Sequence, residues 1–275
     1  MCRIGLYATL NELNSFREFL YSFVEGSAND FVLDSIKKGR RSHNHGWGYA
    51  YVYKYLNDLG VMFYKTSAPI TSNMPRKIVS LPKHFNWLVM LMHSRLTSGE
   101  PIDVSNSHPY HVHIPGKLSL WLAHNGSVKK DFIARELSML GIVNMYSDTY
   151  FLSQWIATNI SKPDINAFED AIKHLIDLNI VETSLNLVAI VMDENNKRVF
   201  GAAVNYVVGK GLETYDYYKL YKVVVDRKTI IIASSTISLY MQRIFGFNVS
   251  ELENRELVFV EPIDNELNIT KRILG

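Results

Sequence analysis

Cysteine occurs once in this 275-residue chain, at position 2. A single cysteine cannot close an intramolecular disulfide or build a thiolate metal cluster, so any chemistry it does is that of a free thiol. Removal of Met1 would leave that thiol and a free α-amine on one residue. An unperturbed α-amine has a pKa near ~8, so much of it is neutral and basic in the physiological range. A nucleophile that carries its own base is a known solution in hydrolases. Three further places gather polar groups. One is His93-Ser-Arg95-Leu-Thr-Ser-Gly-Glu-Pro101, continuing to Asn106-Ser-His108-Pro109. The second is Ala123-His-Asn125-Gly126 and the third is Ser147-Asp148-Thr149. The first two follow apolar strand-like runs and the third opens a helical pattern; a rigid scaffold presents reactive groups at such ends.

Singly, each has an ordinary explanation. A lone cysteine is most often a small buried hydrophobe. His-Asn-Gly after a strand is a turn, because Asn and Gly tolerate left-handed backbone. Ser147 or Asp148 before a helical run is an N-cap, and Arg95 can serve as a surface ion-pair partner. Among the nine histidines, His43-Asn-His45 and His111-Val-His113 fall short of the ligand set a metal needs, and no His-Glu-x-x-His pair occurs. No metal and no cofactor is assigned. Neither a G-x-G-x-x-G nor a phosphate-binding G-x-x-x-x-G-K-[ST] is present, which argues against a nucleotide-binding fold.

The elements that must position these groups can be read from periodicity. Strands are expected at Cys2 to Ala8, Trp47 to Tyr55, Val61 to Thr66, Trp87 to His93 and Leu118 to His124. Four more are expected at Leu185 to Met192, Val199 to Val207, Tyr217 to Val225 and Ile230 to Ser234. Phe16, Phe19, Leu20 and Phe23 recur at helical spacing. A second helix runs through Phe31 to Lys38 and stops at Gly39, a residue favoured just past a helix end. Further helices are expected over Val128 to Leu140, Asp148 to Asn159 and Ile165 to Leu178. Asp193 to Asn196 and Asp226 to Lys228 mark turns between neighbouring strands. Runs of antiparallel-looking strands broken by blocks of helices argue α+β.

Composition narrows the class. The chain is 47% hydrophobic and 20% charged, enough for a large buried core. Lys+Arg 29 against Asp+Glu 27 gives +2, too balanced to suggest a nucleic acid or an acidic membrane as partner. The apolar runs Leu88 to Met92 and Leu187 to Met192 are far too short to span a bilayer. No leader pattern precedes the strand-like residues that begin at Arg3. The expected compartment is the cytoplasm, and with no repeat or linker one domain over residues 1–275 is expected.

Taken in order, Cys2, Gly46-Trp-Gly48, His-Ser-Arg95, Asn-Ser-His108-Pro, His-Asn125-Gly126 and Ser-Asp148-Thr resemble the signature of class II glutamine amidotransferase domains, N-terminal-nucleophile hydrolases. The motifs span residues 2 to 150. A looser likeness reaches about residue 260 through strand order and Ala233-Ser234-Ser235, where the stand-alone subgroup ends a strand in A-S-E-P. The resemblance implies a four-layer α-β-β-α sandwich of two antiparallel sheets. It implies that Cys2 attacks the γ-carbonyl of glutamine or a γ-glutamyl amide, with its own amine as base, directly or through a water. Asn125 and the Gly126 N–H match the oxyanion donors, which suits their chemistry. Arg95 matches the receptor of the substrate α-carboxylate, where a guanidinium fork pairs bidentately. Asp148 matches the residue that receives the α-ammonium. His108 occupies the N-x-H-P position, more as a loop-ordering residue than as a proton shuttle, and Thr97 or Ser98 adds a hydroxyl to the carboxylate site. Three departures, Tyr150 for an acid, His45 for Asp and Leu96 for Trp, are expected at the pocket rim. The domain accounts for the whole chain, so the leading expectation is a stand-alone amidohydrolase with a small-molecule substrate. A glutaminase subunit supplying ammonia to a separate synthase comes second. A non-catalytic binding protein is disfavoured by the intact set Cys2, Arg95, Asn125, Gly126 and Asp148.

Overall fold

The computed structural model describes residues 2–72, 79–97, 99–208 and 211–275, and only the backbone of 212–214. Thirteen strands among them form two antiparallel sheets. The first, in the order β11-β9-β10-β1-β4-β2-β3, is built from β1 (Cys2–Leu10), β2 (Trp47–Tyr55), β3 (Asp58–Thr66), β4 (Trp87–Arg95), β9 (Leu220–Val224), β10 (Thr229–Ser234) and β11 (Val249–Glu251). The second, in the order β13-β12-β8-β7-β6-β5, contains β5 (Tyr110–Ile114), β6 (Leu118–Val128), β7 (Val181–Asp193), β8 (Val199–Asn205), β12 (Glu256–Ile263) and β13 (Glu266–Ile273).

Side-chain alternation makes the layers. On β1, Ile4, Leu6, Ala8 and Leu10 meet Trp121 and Ala123 of β6 and Val188 and Ile190 of β7 between the sheets. Tyr7 points the other way, towards Phe16, Phe19, Leu20 and Phe23 of α1 (Phe16–Ala28) and towards Ile237 and Met241 of α7 (Ser235–Phe245). On β6, Leu118, Leu120 and Leu122 point outward into a third core with α3 (Lys130–Glu136), α4 (Asp148–Asn159) and α5 (Ile165–Asp177). Each large apolar side chain so buried contributes about 1.5–3 kcal/mol. The result is the expected α-β-β-α sandwich. No helix among the described residues is long and apolar enough to cross a membrane.

Most expected elements are present, with informative exceptions. The second helix, α2 (Phe31–Ile36), is shorter than expected, and Gly39 has the left-handed φ of +82°. The helix expected over Val128 to Leu140 divides into α3 and a 3-10 turn at Leu140–Ile142. Tyr217 does not open a strand: it lies in α6 (Leu212–Tyr218), and β9 begins at Leu220. Its ring is buried against the Arg3 guanidinium, 4.3 Å from Cζ to the ring centroid, a long-range contact that overrides the strand preference of a tyrosine pair. β5, β11, β12, β13 and α7 were not anticipated.

Next to Cys2, Arg3 turns to the outer face and is fully buried. Its Nε donates to Asp30 Oδ2 at 2.6 Å, and Nη2 lies 2.5 Å from the same oxygen. Asp30 also caps α2, accepting from the Leu33 N–H at 2.9 Å, and receives the Thr236 hydroxyl of α7 at 2.6 Å. His43 Nε2 is 2.7 Å from Asp30 Oδ2. One carboxylate thereby ties the start of β1 to two helices and a loop. Burial pushes the His43 imidazole down to about 4, against the pull of Asp30, so the ring is neutral and donates to the carboxylate.

His93, His108 and His124 are buried as well, and burial lowers all three, His93 and His108 well below the ordinary value. A histidine whose folded pKa lies below its unfolded value of ~6.5 stabilises fully above that value and loses the contribution as pH falls towards the folded pKa. The thermal midpoint should therefore hold steady above about pH 7 and fall between about pH 6.5 and 4. A midpoint flat across that window in a pH series of melting curves would contradict neutral buried histidines.

Candidate active site

Cys2 is the first residue of β1 and pairs directly with Arg95, the last residue of β4. The strand alternation that sends Ile4 and Leu6 between the sheets sends Cys2 there too, where it is buried. From the opposite sheet, Ala123 and Trp121 of β6 share the inter-sheet core, and Asn125, two residues on, follows the same face. The Cys2 N–H donates to Asn125 Oδ1 at 2.8 Å. With its oxygen so engaged, the Asn125 amide is fixed in orientation, and its buried Nδ2 has no hydrogen-bond partner. An unpaired buried donor costs about 1–3 kcal/mol, and sites that stabilise developing negative charge hold donors in that state.

His124 belongs to the other face of β6. Its ring nitrogens contact the Thr149 hydroxyl at 3.3 Å and the Ser184 carbonyl at 3.0 Å, under α4. Gly126 is required by close approach, since a Cβ there would collide with the Ser184 carbonyl. The pairing with β7 shifts between Gly126 and Val128, and the Val128 N–H donates to Asp148 Oδ2 at 3.0 Å. Asp148, the first residue of α4, also accepts from the Thr149 N–H through Oδ1 at 2.8 Å. Ser147 holds the N-cap position but makes no side-chain cap bond. Its hydroxyl meets the Tyr110 hydroxyl at 2.8 Å, and its N–H donates to Asn106 Oδ1 at 2.7 Å.

The loop after β4 closes the site. Arg95, only 2% exposed, donates from Nη1 to the Pro101 carbonyl at 2.8 Å, and its Nη2 stands 3.7 Å from Glu100 Oε2. The Thr97 hydroxyl bonds within its own loop, donating to Glu100 Oε2 at 2.6 Å and accepting from the Glu100 N–H at 3.0 Å. Its role there is to order the turn; Ser98, the alternative hydroxyl, lies outside the described residues. Gly46-Trp-Gly48 lets the 107–108 segment approach: Gly46 has φ +113°, and a Cβ there would strike the Ser107 hydroxyl and the Thr66 carbonyl, while one at Gly48 would strike the His108 and Tyr64 carbonyls. His108 packs at a tilt against His93, ring centroids 4.0 Å apart, and against Tyr110 at 5.0 Å.

Cys2, Arg95, Thr97, His108, Gly126 and Asp148 line one cleft of about 70 Å³, together with Leu96 and Glu100. Of the three departures, Leu96 is on the cleft wall. His45 stands behind it, accepting the Thr97 N–H through Nδ1 at 3.1 Å. Tyr150, half-buried on the first turn of α4, stacks on Tyr146 at 4.2 Å and is not among the residues lining the cleft. Glu100, Asn106 and Tyr110 were not singled out as site residues. Glu100 and Asn106 lie in the polar run between Arg95 and Pro109, and Asn106 also opens the Asn-Ser-His108-Pro motif, whereas Tyr110, just beyond it, carries no such signal. Among the described residues no cluster of three or more His, Cys, Asp or Glu could hold a metal.

No protein-family profile and no curated protein matches the sequence. Similarity appears in solved structures. An allosteric regulatory enzyme of purine biosynthesis superposes with TM-score 0.59 at 15% identity over 98% of this chain and 49% of its own. The glutamine phosphoribosylpyrophosphate amidotransferase of B. subtilis gives 0.57 at 16%, over 100% and 49%. A glutamine aminotransferase class-II domain protein from Silicibacter pomeroyi gives 0.50 at 13%, over 100% of both chains. The chain thus spans about half the length of the first two and the full length of the third. Its two antiparallel sheets between helical layers are the fold of class II glutamine amidotransferase domains.

Proposed function

We propose that the chain, as one domain, is a stand-alone amidohydrolase that cleaves the γ-amide of glutamine or a γ-glutamyl compound through a Cys2 thioester. The observation that carries this reading is the contact between Cys2 and Asn125: the amide oxygen is taken by the Cys2 nitrogen at 2.8 Å, and Nδ2 is buried and unspent beside the thiol-bearing residue. The Cys2 amine, freed by removal of Met1, takes the thiol proton as sulfur attacks the γ-carbonyl. The oxyanion that forms accepts from Asn125 Nδ2 and the Gly126 N–H. Collapse breaks the C–N bond, and the ammonium of Cys2 returns the proton to the leaving nitrogen. Water, deprotonated by the same amine, then cleaves the thioester, releasing the γ-carboxylate and restoring the thiol. Arg95 and Asp148 read the amino-acid end, supported by their opposite charges and their shared cleft. A separate synthase that accepts the ammonia remains the second reading, favoured by the two neighbours that are about twice the length of this chain.

The native protein should begin at Cys2 by intact mass, and an electrophilic glutamine analogue should label Cys2 alone. Folded wild-type protein that takes no label would favour a binding protein over an enzyme, and retained Met1 in an active preparation would rule out the α-amine as base. Asn125→Ala should lower kcat by about 10²–10³-fold, the usual effect of losing one oxyanion donor; an unchanged kcat removes it from the mechanism. Arg95→Ala should act mainly on kcat/KM, by about ten- to two-hundred-fold, given ~1.5–3 kcal/mol for a hydrogen bond to a charged group. Wild-type protein that cleaves glutamine α-methyl ester as well as glutamine would show that Arg95 does not read the carboxylate. Turnover of glutamine or γ-glutamyl amides without added partner separates the first reading from the second.

A further inference from the structure

The α-ammonium of a free amino acid sits one carbon away from its α-carboxylate, so a site for both needs a cation and an anion side by side. In the cleft that pair is Arg95 and Glu100. Arg95 is buried, and only one arm of its fork is spent, on the Pro101 carbonyl. The other arm, Nη2, has no hydrogen-bond partner, because the 3.7 Å to Glu100 Oε2 exceeds hydrogen-bonding range. A buried guanidinium left half-satisfied is costly, and the atom that would complete it is an incoming carboxylate oxygen.

Glu100 lies at the boundary where the cleft opens into a polar groove of about 570 Å³, and Asp148 and Ser127 line both. Its side chain is about one quarter exposed. Burial by itself would raise the Glu100 carboxyl, yet the Thr97 hydrogen bond and the Arg95 and Lys130 charges hold it below the ordinary carboxylate value, so it is anionic at neutral pH. Asp148 has each oxygen engaged by a backbone N–H, from Val128 and from Thr149, whereas on Glu100 only Oε2 is engaged, by the Thr97 hydroxyl.

We infer that Glu100 is a specificity-determining residue whose carboxylate, beside Asp148, receives the substrate α-ammonium while Arg95 takes the α-carboxylate. The inference rests on the γ-glutamyl reading above and adds to its Arg95 and Asp148 pair a second carboxylate, which sharpens selection for a free, charged α-amine. Glu100 in this role accounts for the long Arg95 contact: a zwitterion docking alongside the two side chains, carboxylate to Arg95 and ammonium to Glu100, satisfies both without first breaking a hydrogen-bonded ion pair.

The test uses full-length Cys2→Ala protein, which binds without turnover, titrated calorimetrically with glutamine and with glutaric acid monoamide, which lacks the α-amine. Adding Glu100→Gln, which keeps shape and the ability to accept from Thr97, should weaken glutamine about ten- to two-hundred-fold and leave the monoamide unchanged. Glu100→Asp, with the charge retained on a shorter side chain, should recover part of the difference. Equal weakening of both ligands would mean that Glu100 only holds the Arg95 loop, and tighter glutamine binding would mean that it competes for Arg95. No change would leave Asp148 as the sole ammonium receptor. Each of these three overturns the inference, whereas wild-type protein that neither turns over γ-amides nor takes the electrophilic label overturns the γ-glutamyl reading itself.

Discussion

A guanidinium with no exposure to water sits one residue from the candidate nucleophile, and the geometry of the whole site hangs on how it is compensated. Arg3 has Asp30 as its counter-charge, and Asp30 in turn is held by Thr236, Leu33 and His43. Removing one partner from a buried pair of this kind typically costs about 3–5 kcal/mol, because the remaining charge stays desolvated. The cluster therefore specifies where β1 begins more than it adds to net stability. With Arg3 locked to the helical layer, the adjacent Cys2 has to face the opposite way, between the sheets.

The inner and outer faces of the strands then sort the chemistry. Cys2 and Arg95 occupy the inter-sheet face, with Asn125 bonded to the Cys2 nitrogen, while His124 and Thr149, which also reach the cleft wall, are tied to each other and, through His124, to Ser184 on the helical side of β6. Around them the buried imidazoles are neutral, so Arg95 supplies fixed positive charge to the cleft and Asp148 and Glu100 supply the negative. The cleft is small, about 70 Å³, and Arg95 on its wall is only 2% exposed; around so buried a group charge-assisted hydrogen bonds count for more than at the surface.

Much of this was legible beforehand, where a short local pattern carried it. Cys2, Asn125, Gly126 and Asp148 stand in compact motifs, and the long inner strands β4, β6 and β7 read as apolar runs. What escaped depended on distant partners. Arg3, Asp30 and Thr236 are 27 and 206 residues apart in sequence, so no window contains the cluster. Tyr217 reads as a strand residue until Arg3 is seen beneath its ring. The β12–β13 hairpin was overlooked although its signal was present: Asp264 and Asn265, both at positive φ, form a two-residue connection of the kind that Asp and Asn favour. The strand Tyr110–Ile114 alternates apolar residues with exposed histidines, and in sequence that His-x-His spacing resembles a metal pair as much as a strand.

Because side chains alternate strictly along a strand, sliding β6 by one residue against β7 would exchange the faces of His124 and Asn125. The amide would then lie under the helices and the imidazole opposite the thiol. The register change after Gly126 lies beyond both residues, so on the paired stretch His124–Asn125 the site assembles in one register or the other. A preparation refolded from denaturant should consist of fully competent and wholly inert molecules, with a bulk rate that counts the former. Catalytic titre, measured against the fraction of chains that fold compactly, would then serve as a readout of strand registration.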